Sequence, residues 1–334
     1  MRPTRPTMRD VAGRAGVSLK TVSRVINHER GVAEATSGRV AEAIAELGFQ
    51  RNDLARNLRQ GRSSSTLGLI IEDVTNPFYS AIAEAVERFA RERGYLLITG
   101  SCAEDPDRER ELATTLLRRR VDAILIVPAG DDHSYLELDL VAGTPVVFLD
   151  RPPSGIDADC VLNDDLDGAR TGVEHLIANG HTRIACISDV EEVYTARERR
   201  SGYHQALERA EISADPDLAP HGQSAAAGAE ACARRLLSLP AGRRPTALFC
   251  ANNRITIGAI RALRGRRRKT ALVGFDDFEL ADLLGVTVVR SDPSGLGRQA
   301  AALAFARLGG DDGPPRRIVV PTQLVARGSG EVAP

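Results

Sequence analysis

Tryptophan is absent from this 334-residue chain, methionine occurs twice, and aromatic residues make up only 4%. The apolar mass is aliphatic, as in proteins that lay helices on parallel sheets. The five cysteines (Cys102, Cys160, Cys186, Cys232, Cys250) are odd in number, scattered, and never spaced C-x-x-C. That excludes a disulfide framework and a thiolate metal site and predicts reduced, buried thiols. No run of 18 apolar residues occurs, so no membrane-spanning helix is expected. Met1-Arg-Pro-Thr-Arg-Pro-Thr7 has no apolar stretch behind its charges, which argues against a secretory signal and for a cytoplasmic protein. Catalytic signatures are missing too: there is no Walker loop, G-x-S-x-G elbow or H-E-x-x-H, and the six histidines do not cluster. Gly295-x-Gly297-x-x-Ala300 imitates a dinucleotide fingerprint, but no strand with a glycine-tight turn precedes it. Neither an enzyme nor a cofactor is expected.

What is present is a globular composition, 43% hydrophobic and 27% charged, in a chain long enough for two or three domains. The net charge of −1 hides an asymmetry. Residues 1–62 hold 12 Lys/Arg against 6 Asp/Glu, whereas the remainder holds 32 against 39. A basic head on an acidic body suggests that the head meets a polyanion, although a chance excess of surface arginine would look the same.

The head reads as short helices around a tight turn. Thr7 and Asp10 form a capping-box-like pair, and Met8, Val11, Ala12 and Ala15 follow helical spacing. Gly16 falls where a left-handed stop is needed, and Ser18 can cap a second helix. On that helix Val22, Val25 and Ile26 share one arc, with Thr21 at its edge. Leu19, Lys20, Ser23, Arg24 and Asn27 share the other. A third amphipathic stretch runs through Val40, Ala43, Ile44 and Leu47 to Gly48. This is a helix-turn-helix pattern whose outward arc offers groups for phosphates and base edges. A small three-helix domain with an ordinary solvated face would give the same periodicity.

The residues themselves go further. The run from Thr7 to Asn27, TMRDVAGRAGVSLKTVSRVIN, closely resembles the N-terminal signature of the LacI/GalR family of bacterial transcription regulators. The resemblance extends over essentially the whole chain. It implies that Leu19, Lys20 and Arg24 read bases and that Thr7, Ser18, Thr21, Ser23 and Asn27 lie near the DNA backbone. Ala33 and Thr36-Ser37-Gly38 depart from the family's usual residues. A cap and one or two phosphate contacts are lost there, and Gly38 costs about 1 kcal/mol relative to Ala.

Residues 1–51 are thus expected to form the DNA-binding head and 52–66 a hinge helix and linker. Leu54 and Leu58 lie four apart in a segment too short to stay helical alone. By resemblance Leu58 wedges into the minor groove at the operator dyad; a plain tether is the simpler reading. From residue 67 to 334, apolar runs alternate with helical stretches, as in two doubly wound α/β lobes. Strands are expected at Leu67–Ile71, Leu96–Thr99, Ala123–Val127, Val146–Leu149, Ile184–Ile187, Ala247–Cys250 and Ala271–Val273, and a last one within Pro321–Arg327. The resemblance implies a periplasmic-binding-protein-like body, with the chain crossing three times between lobes.

Polar residues just after strands are the cleft candidates: Phe78, Asp150, Arg199, Asn252, Asp276 and Ser291. Carboxylates and amides accept paired hydroxyls, an arginine donates several bonds, and an aromatic face covers C–H groups, which together suit a sugar. Phe78 reads equally well as a packing residue, Asp150 as a loop cap or a partner of Arg151, and Asp277 as a structural cap. Arg199 is expected to open a helix, His181 to be structural, and the acidic stretch Glu104–Glu111 to be solvated. The combined reading is a repressor that binds a pseudo-palindromic operator as a homodimer, without a membrane, under control of a small molecule between its lobes. No apolar heptad follows the last expected strand, so no coiled-coil tetramer is expected. A purine- or protein-corepressor-dependent regulator of the same family is the alternative.

Overall fold

The computed structural model describes residues 6–27, 29, 31–49, 64–266 and 269–334. Contacts divide the chain into a head ending at Ser64 and a body beginning at Ser65. The hinge segment, with Leu54 and Leu58, lies outside the described residues. No helix among the described residues is long and apolar enough to cross a membrane.

Among its described residues the head has three helices, α1 (Met8–Ala15), α2 (Leu19–Ile26) and α3 (Glu34–Leu47). Thr7 and Asp10 close a reciprocal capping box on α1: the Thr7 amide and hydroxyl each donate to the Asp10 carboxylate at 2.7 Å. These bonds hold the Asp10 carboxyl below its ordinary range. Gly16 ends α1 at φ +65°, a conformation that costs other residues but not glycine. Val11, Ala12, Ala15, Val22, Val40 and Ala43 bury together as the core. The cap of α3 is indeed missing: Ala33 holds that place and makes no side-chain bond.

The body has two lobes. The first contains β1 (Thr66–Ile71), α4 (Pro77–Arg91), β2 (Leu96–Ser101), α5 (Pro106–Arg118), β3 (Ala123–Ile126), α6 (Glu137–Val141), β4 (Val146–Leu149) and β5 (Asp159–Asn163). The chain then crosses to α7 (Asp165–Ala178), β6 (Ile184–Ile187), α8 (Tyr194–Arg209), α9 (Ala226–Leu237), β7 (Ala247–Cys250), α10 (Asn253–Leu263), β8 (Ala271–Phe275) and β9 (Thr287–Arg290). It returns for α11 (Pro293–Leu308) and β10 (Arg317–Val320), and crosses a third time to β11 (Gln323–Val325). The sheet orders are β10-β5-β4-β3-β1-β2 and β11-β9-β8-β7-β6, parallel throughout except for the β9–β11 pair.

Period-two alternation buries both faces of each sheet. Leu67, Leu69 and Ile71 pack toward α4 and α11, while Ile70, Ile124 and Ile126 face α5. In the second lobe Leu248 and Cys250 face α9 and α10, and Phe249 faces α7 and α8. All five cysteines are buried and unbridged. Gly295 and Gly297 lie inside α11, where a Cβ on Gly297 would come within 2.7 Å of the Ile82 carbonyl. The fingerprint spacing there is helix packing against α4.

Several expectations need correction. β5, β9 and β10 did not stand out in the sequence, because polar ends interrupt their apolar runs. Asp159 at the start of β5 is neutralised by Arg307, whose Nε and Nη2 donate at 2.8 and 2.9 Å. Asp277 serves as an ion-pair partner as well as a local acceptor: Arg327 donates to its two oxygens at 2.8 and 2.6 Å. The Glu104–Glu111 stretch is only partly solvated. Glu109 is buried and accepts from the Ala129 amide at 2.5 Å and the Tyr135 hydroxyl at 2.7 Å. His181 is buried between the Thr246 hydroxyl (2.8 Å) and the Val332 carbonyl (2.7 Å), as a structural histidine should be.

Arg199 does not open a helix, because α8 begins at Tyr194 and carries it in the second turn. Its placement depends on Gly202, one turn later on the same face. A Cβ at Gly202 would lie 2.2 Å from the Leu166 carbonyl and 2.8 Å from the Arg170 amide, so α8 reaches α7 only without a side chain there. The obstructing atoms are backbone and cannot swing aside. Gly202→Ala should therefore lower unfolding stability by about 1–3 kcal/mol despite the gain in helix propensity. Chemical denaturation of parent and variant measures this.

Candidate functional site

Two surfaces carry the candidate residues. On the head, Ser18 and Thr21 face each other across the first turn of α2, with hydroxyls 2.9 Å apart, and Ser18 accepts the Thr21 amide at 3.1 Å. Asn27 closes the same helix and reaches Ser23 at 3.4 Å. Thr7, Ser18 and Asn27 therefore hold helix ends, so each has a structural task whether or not it touches DNA. Leu19 and Lys20 are exposed, Thr21 and Ser23 half-buried. Leu19 is 46% exposed and stands beside the exposed Lys20 at the start of α2. Arg24 is half-buried, with its Nε 3.5 Å from Glu29.

In the body, the carboxyl ends of both parallel sheets face one cleft, where open α/β sheets place ligands. Asp150 follows β4 and Asp276 follows β8. Both are left-handed, at φ +66° and +63°, which aspartate tolerates better than most residues. Their amides donate across to the next strand at 2.9 Å, to Val161 and Val289, so both kinks are fixed by the sheets. Arg199 enters from α8. It donates to Asp165 at 2.7 Å, to the Ala251 carbonyl at 2.7 Å and to Asp276 at 3.1 Å, with its guanidinium 3.8 Å from the Phe275 ring centre.

Phe78, Asp150, Arg199, Asn252 and Asp276 all line this cleft. Ser291 does not; it sits behind Asp276 and donates to its Oδ1 at 2.6 Å, so it acts on the cleft only by holding that carboxylate. Asn252 caps α10 by accepting the Ile255 amide at 2.8 Å, and its amide nitrogen is 3.4 Å from Asp189. Phe78 both lines the cleft and belongs to the first lobe's core.

The sequence pattern did not single out Glu72, Glu104, Asp189, Thr195, Ser224 and Arg254, which also line the cleft. Glu72 and Asp189 could have been found by the rule already used, since they come one and two residues after β1 and β6. Glu104 carried the opposite signal, an acidic run that reads as solvated. Instead, its two oxygens accept from Arg151 at 2.7 and 2.5 Å.

The lobes touch across the cleft. Asn253 donates to Asn76 at 2.9 Å, and Arg254 pairs with Asp73 and lies 3.6 Å from Glu72. The cavity there is about 50 Å³, against roughly 300–1,000 Å³ for pockets that surround a drug-sized ligand. Burial pushes the Glu72 carboxyl up to about 7, and the negative charge of Glu104 adds to the effect while Arg151 opposes it. Burial also raises Asp150 and Asp189. Hydroxyl-rich ligands suit such a site, because carboxylates and carboxamides converge there with a fixed guanidinium.

Both parts of the chain have known relatives. The family described as bacterial regulatory proteins, lacI family, matches residues 7–52, and a periplasmic binding protein-like domain matches residues 173–330. The chain is 34% identical over 330 residues to the ribose operon repressor of Escherichia coli K12, covering 97% of this chain and 99% of that one. It is 31% identical over 330 residues to the HTH-type transcriptional repressor PurR of Aliivibrio fischeri, covering 97% and 98%. Among solved structures, the lac repressor dimer bound to operator and the anti-inducer ONPF superposes with a TM-score of 0.84. Its sequence identity is 27%, and the match covers 98% of this chain and all of that one.

The raised Glu72 carboxyl has a consequence for stability. Unfolded, it titrates near the ordinary 4.5; folded, near 7. Between those values the folded chain keeps a proton that the unfolded chain has released, so stability falls as pH rises through that window. Glu72→Gln should remove this contribution and flatten the fall by about 1–3 kcal/mol. A residual slope is expected, since burial raises Asp165 as well. Denaturant midpoints of both proteins between pH 4.5 and 8 provide the measurement.

Proposed function

The chain belongs to the LacI family of bacterial regulatory proteins, and from that premise we infer that its head binds operator DNA and its cleft binds the molecule that controls it. It is a DNA-binding transcriptional regulator of the repressor type, responsive to a small molecule. The finer reading is a cytoplasmic homodimer on a pseudo-palindromic operator, with a sugar as effector. In this reading residues 1–51 are the DNA-binding domain, 52–66 the hinge and 67–334 the effector domain. The observation that carries the sugar is the convergence of Asp150 and Asp276 on one cleft with Arg199 and Asn252. A sugar hydroxyl removed from water needs such partners, because an unmatched buried polar group costs about 1–3 kcal/mol. Phe78 and Tyr79 supply the apolar surface and meet edge to face, 5.1 Å between ring centres. They are the only rings among the lining residues, and they lie on the same side of the cleft. A flat purine would gain more from rings on both sides, so a sugar fits better.

Control follows from differential affinity. A sugar that prefers one spacing of the lobes shifts the protein toward it, and operator affinity changes by the ratio of the sugar's affinities for the two states. Lys20, Leu19 and Arg24 are assigned to base edges, and Thr7, Ser18, Thr21, Ser23 and Asn27 to the DNA backbone.

Two variants test this. Arg24→Ala should weaken operator binding by about 1–3 kcal/mol while affecting scrambled DNA less. Equal losses on both would make Arg24 a phosphate contact. Asp276→Asn keeps the shape of the cleft but removes a charge, and should leave operator binding intact while raising the sugar concentration needed for release at least about tenfold, a factor worth 1.4 kcal/mol. Operator affinity titrated against sugars and nucleobases decides it, and a parent-like sugar response would place the effector elsewhere. Arg199 is a poorer probe than Asp276, because removing it leaves Asp165 and Asp276 buried without a counter-charge.

A further inference from the structure

We propose that the cleft accepts uncharged sugars and excludes phosphorylated ones, and that Glu104 sets this preference by occupying the guanidinium of Arg151. The proposal rests on the reading of the cleft as a sugar site. Capture of a phosphate needs a cation with donors to spare, usually an arginine fork. Arg151, Arg199 and Arg254 are the cations that line the cleft, and each already has carboxylate partners. Arg151 spends both terminal nitrogens on the two oxygens of Glu104, and Nη1 donates to the Pro128 carbonyl at 2.8 Å as well. Arg199 serves Asp165, Asp276 and the Ala251 carbonyl. Arg254 bridges the lobes to Asp73.

Once these pairs are made, carboxylates remain in excess. Asp150 and Asp189 line the same space without a close cationic partner: the Arg151 Nε is 3.9 Å from Asp150, and Asp189 meets only Asn252 and the Val190 amide. Glu72 meets Arg254 only at 3.6 Å and hydrogen-bonds the Tyr79 side chain. Burial lifts all three carboxyls, as expected where negative charge is crowded and poorly solvated. A phosphate dianion would enter that field with no free guanidinium to meet it. An uncharged polyol meets acceptors for its hydroxyls, and the buried Nε of Arg151 beside Asp150 has no hydrogen-bond partner among the described residues.

The backbone around Glu104 shows that its position is imposed. Ala103 and Glu104 are consecutive left-handed residues, at φ +56° and +60°, and neither is glycine. Such strain persists where the surroundings over-determine it. Here the Cys102 and Ala103 amides donate to the Ile71 and Glu72 carbonyls at 2.9 and 2.8 Å, which pins the turn to the end of β1. The strained turn delivers the Glu104 carboxylate to Arg151.

Calorimetric titration of the full-length protein tests the proposal, using D-ribose, D-glucose and D-fructose beside ribose 5-phosphate, glucose 6-phosphate and fructose 1-phosphate. The parent should bind at least one neutral sugar, and the matching phosphate at least a hundredfold more weakly. Glu104→Gln releases Arg151 and removes one negative charge, and should narrow that gap at least tenfold. Glu104→Asp keeps the charge and should keep most of the gap. A parent that binds the phosphate within tenfold of its neutral sugar overturns the proposal, whatever the variants do. So does an unchanged gap in a Glu104→Gln protein that still binds the neutral sugar. If the parent binds none of the six, the sugar reading itself falls, and this inference with it.

Discussion

The buried guanidinium of Arg199 holds the body's second lobe to its crossovers. Asp165, its partner at 2.7 Å, begins α7 directly after the first crossover from β5. Asp276, its partner at 3.1 Å, directly follows β8 and is held in turn by Ser291, which stands in the return crossover between β9 and α11. One cation therefore ties a helix start, a strand end and, through Ser291, a second crossing of the chain. Ion pairs buried this deeply roughly break even against a well-packed apolar core, and their value lies in specifying one arrangement. Here the arrangement is the floor of the cleft. A ligand that draws Asp276 away from Arg199 or Ser291 acts on the chain segments that join the lobes.

Asp150 and Asp276 occupy equivalent places in the two lobes. Each ends a central parallel strand, turns left-handed and donates its amide to the neighbouring strand. Two carboxylates are thus presented from opposite sides by rigid sheets, not by loops, which suits a site that must keep its geometry while the lobes move. The side-chain contacts between the lobes come from a helix start: Arg254 and Asn253, in the first turn of α10, meet Glu72, Asp73 and Asn76 beyond β1. The Arg254 pairs are partly exposed and contribute little stability, whereas the Asn253–Asn76 bond is buried and costs more to part.

The head holds its helix ends by local chemistry. Its caps at Thr7, Ser18 and Gly16 satisfy helix ends within a few residues, and its core is six small or branched side chains. With Ala33 offering no cap to α3, the third helix leans more heavily on Val40 and Ala43. Hydroxyls at Ser18 and Thr21 bond to each other, so contact with a phosphate would exchange one hydrogen bond for another, with small net gain.

What was legible in the sequence is what depends on neighbours along the chain. The capping box at Thr7, the stop at Gly16 and the alternation of apolar runs with helical stretches follow from local sterics and periodicity. So does the placement of Asp150 and Asp276, because a polar residue just after a buried parallel strand has only the sheet's carboxyl edge to occupy. Tertiary structure decided what depends on distant partners. Whether Glu104 is solvated or faces a cleft is settled by Arg151, 47 residues later, and whether Ser291 touches a ligand or a carboxylate is settled by Asp276. Asp159 could enter a buried strand only because Arg307, 148 residues away, neutralises it. A charge's environment is set by whatever lies within a few ångströms of it, and the sequence around it does not record that.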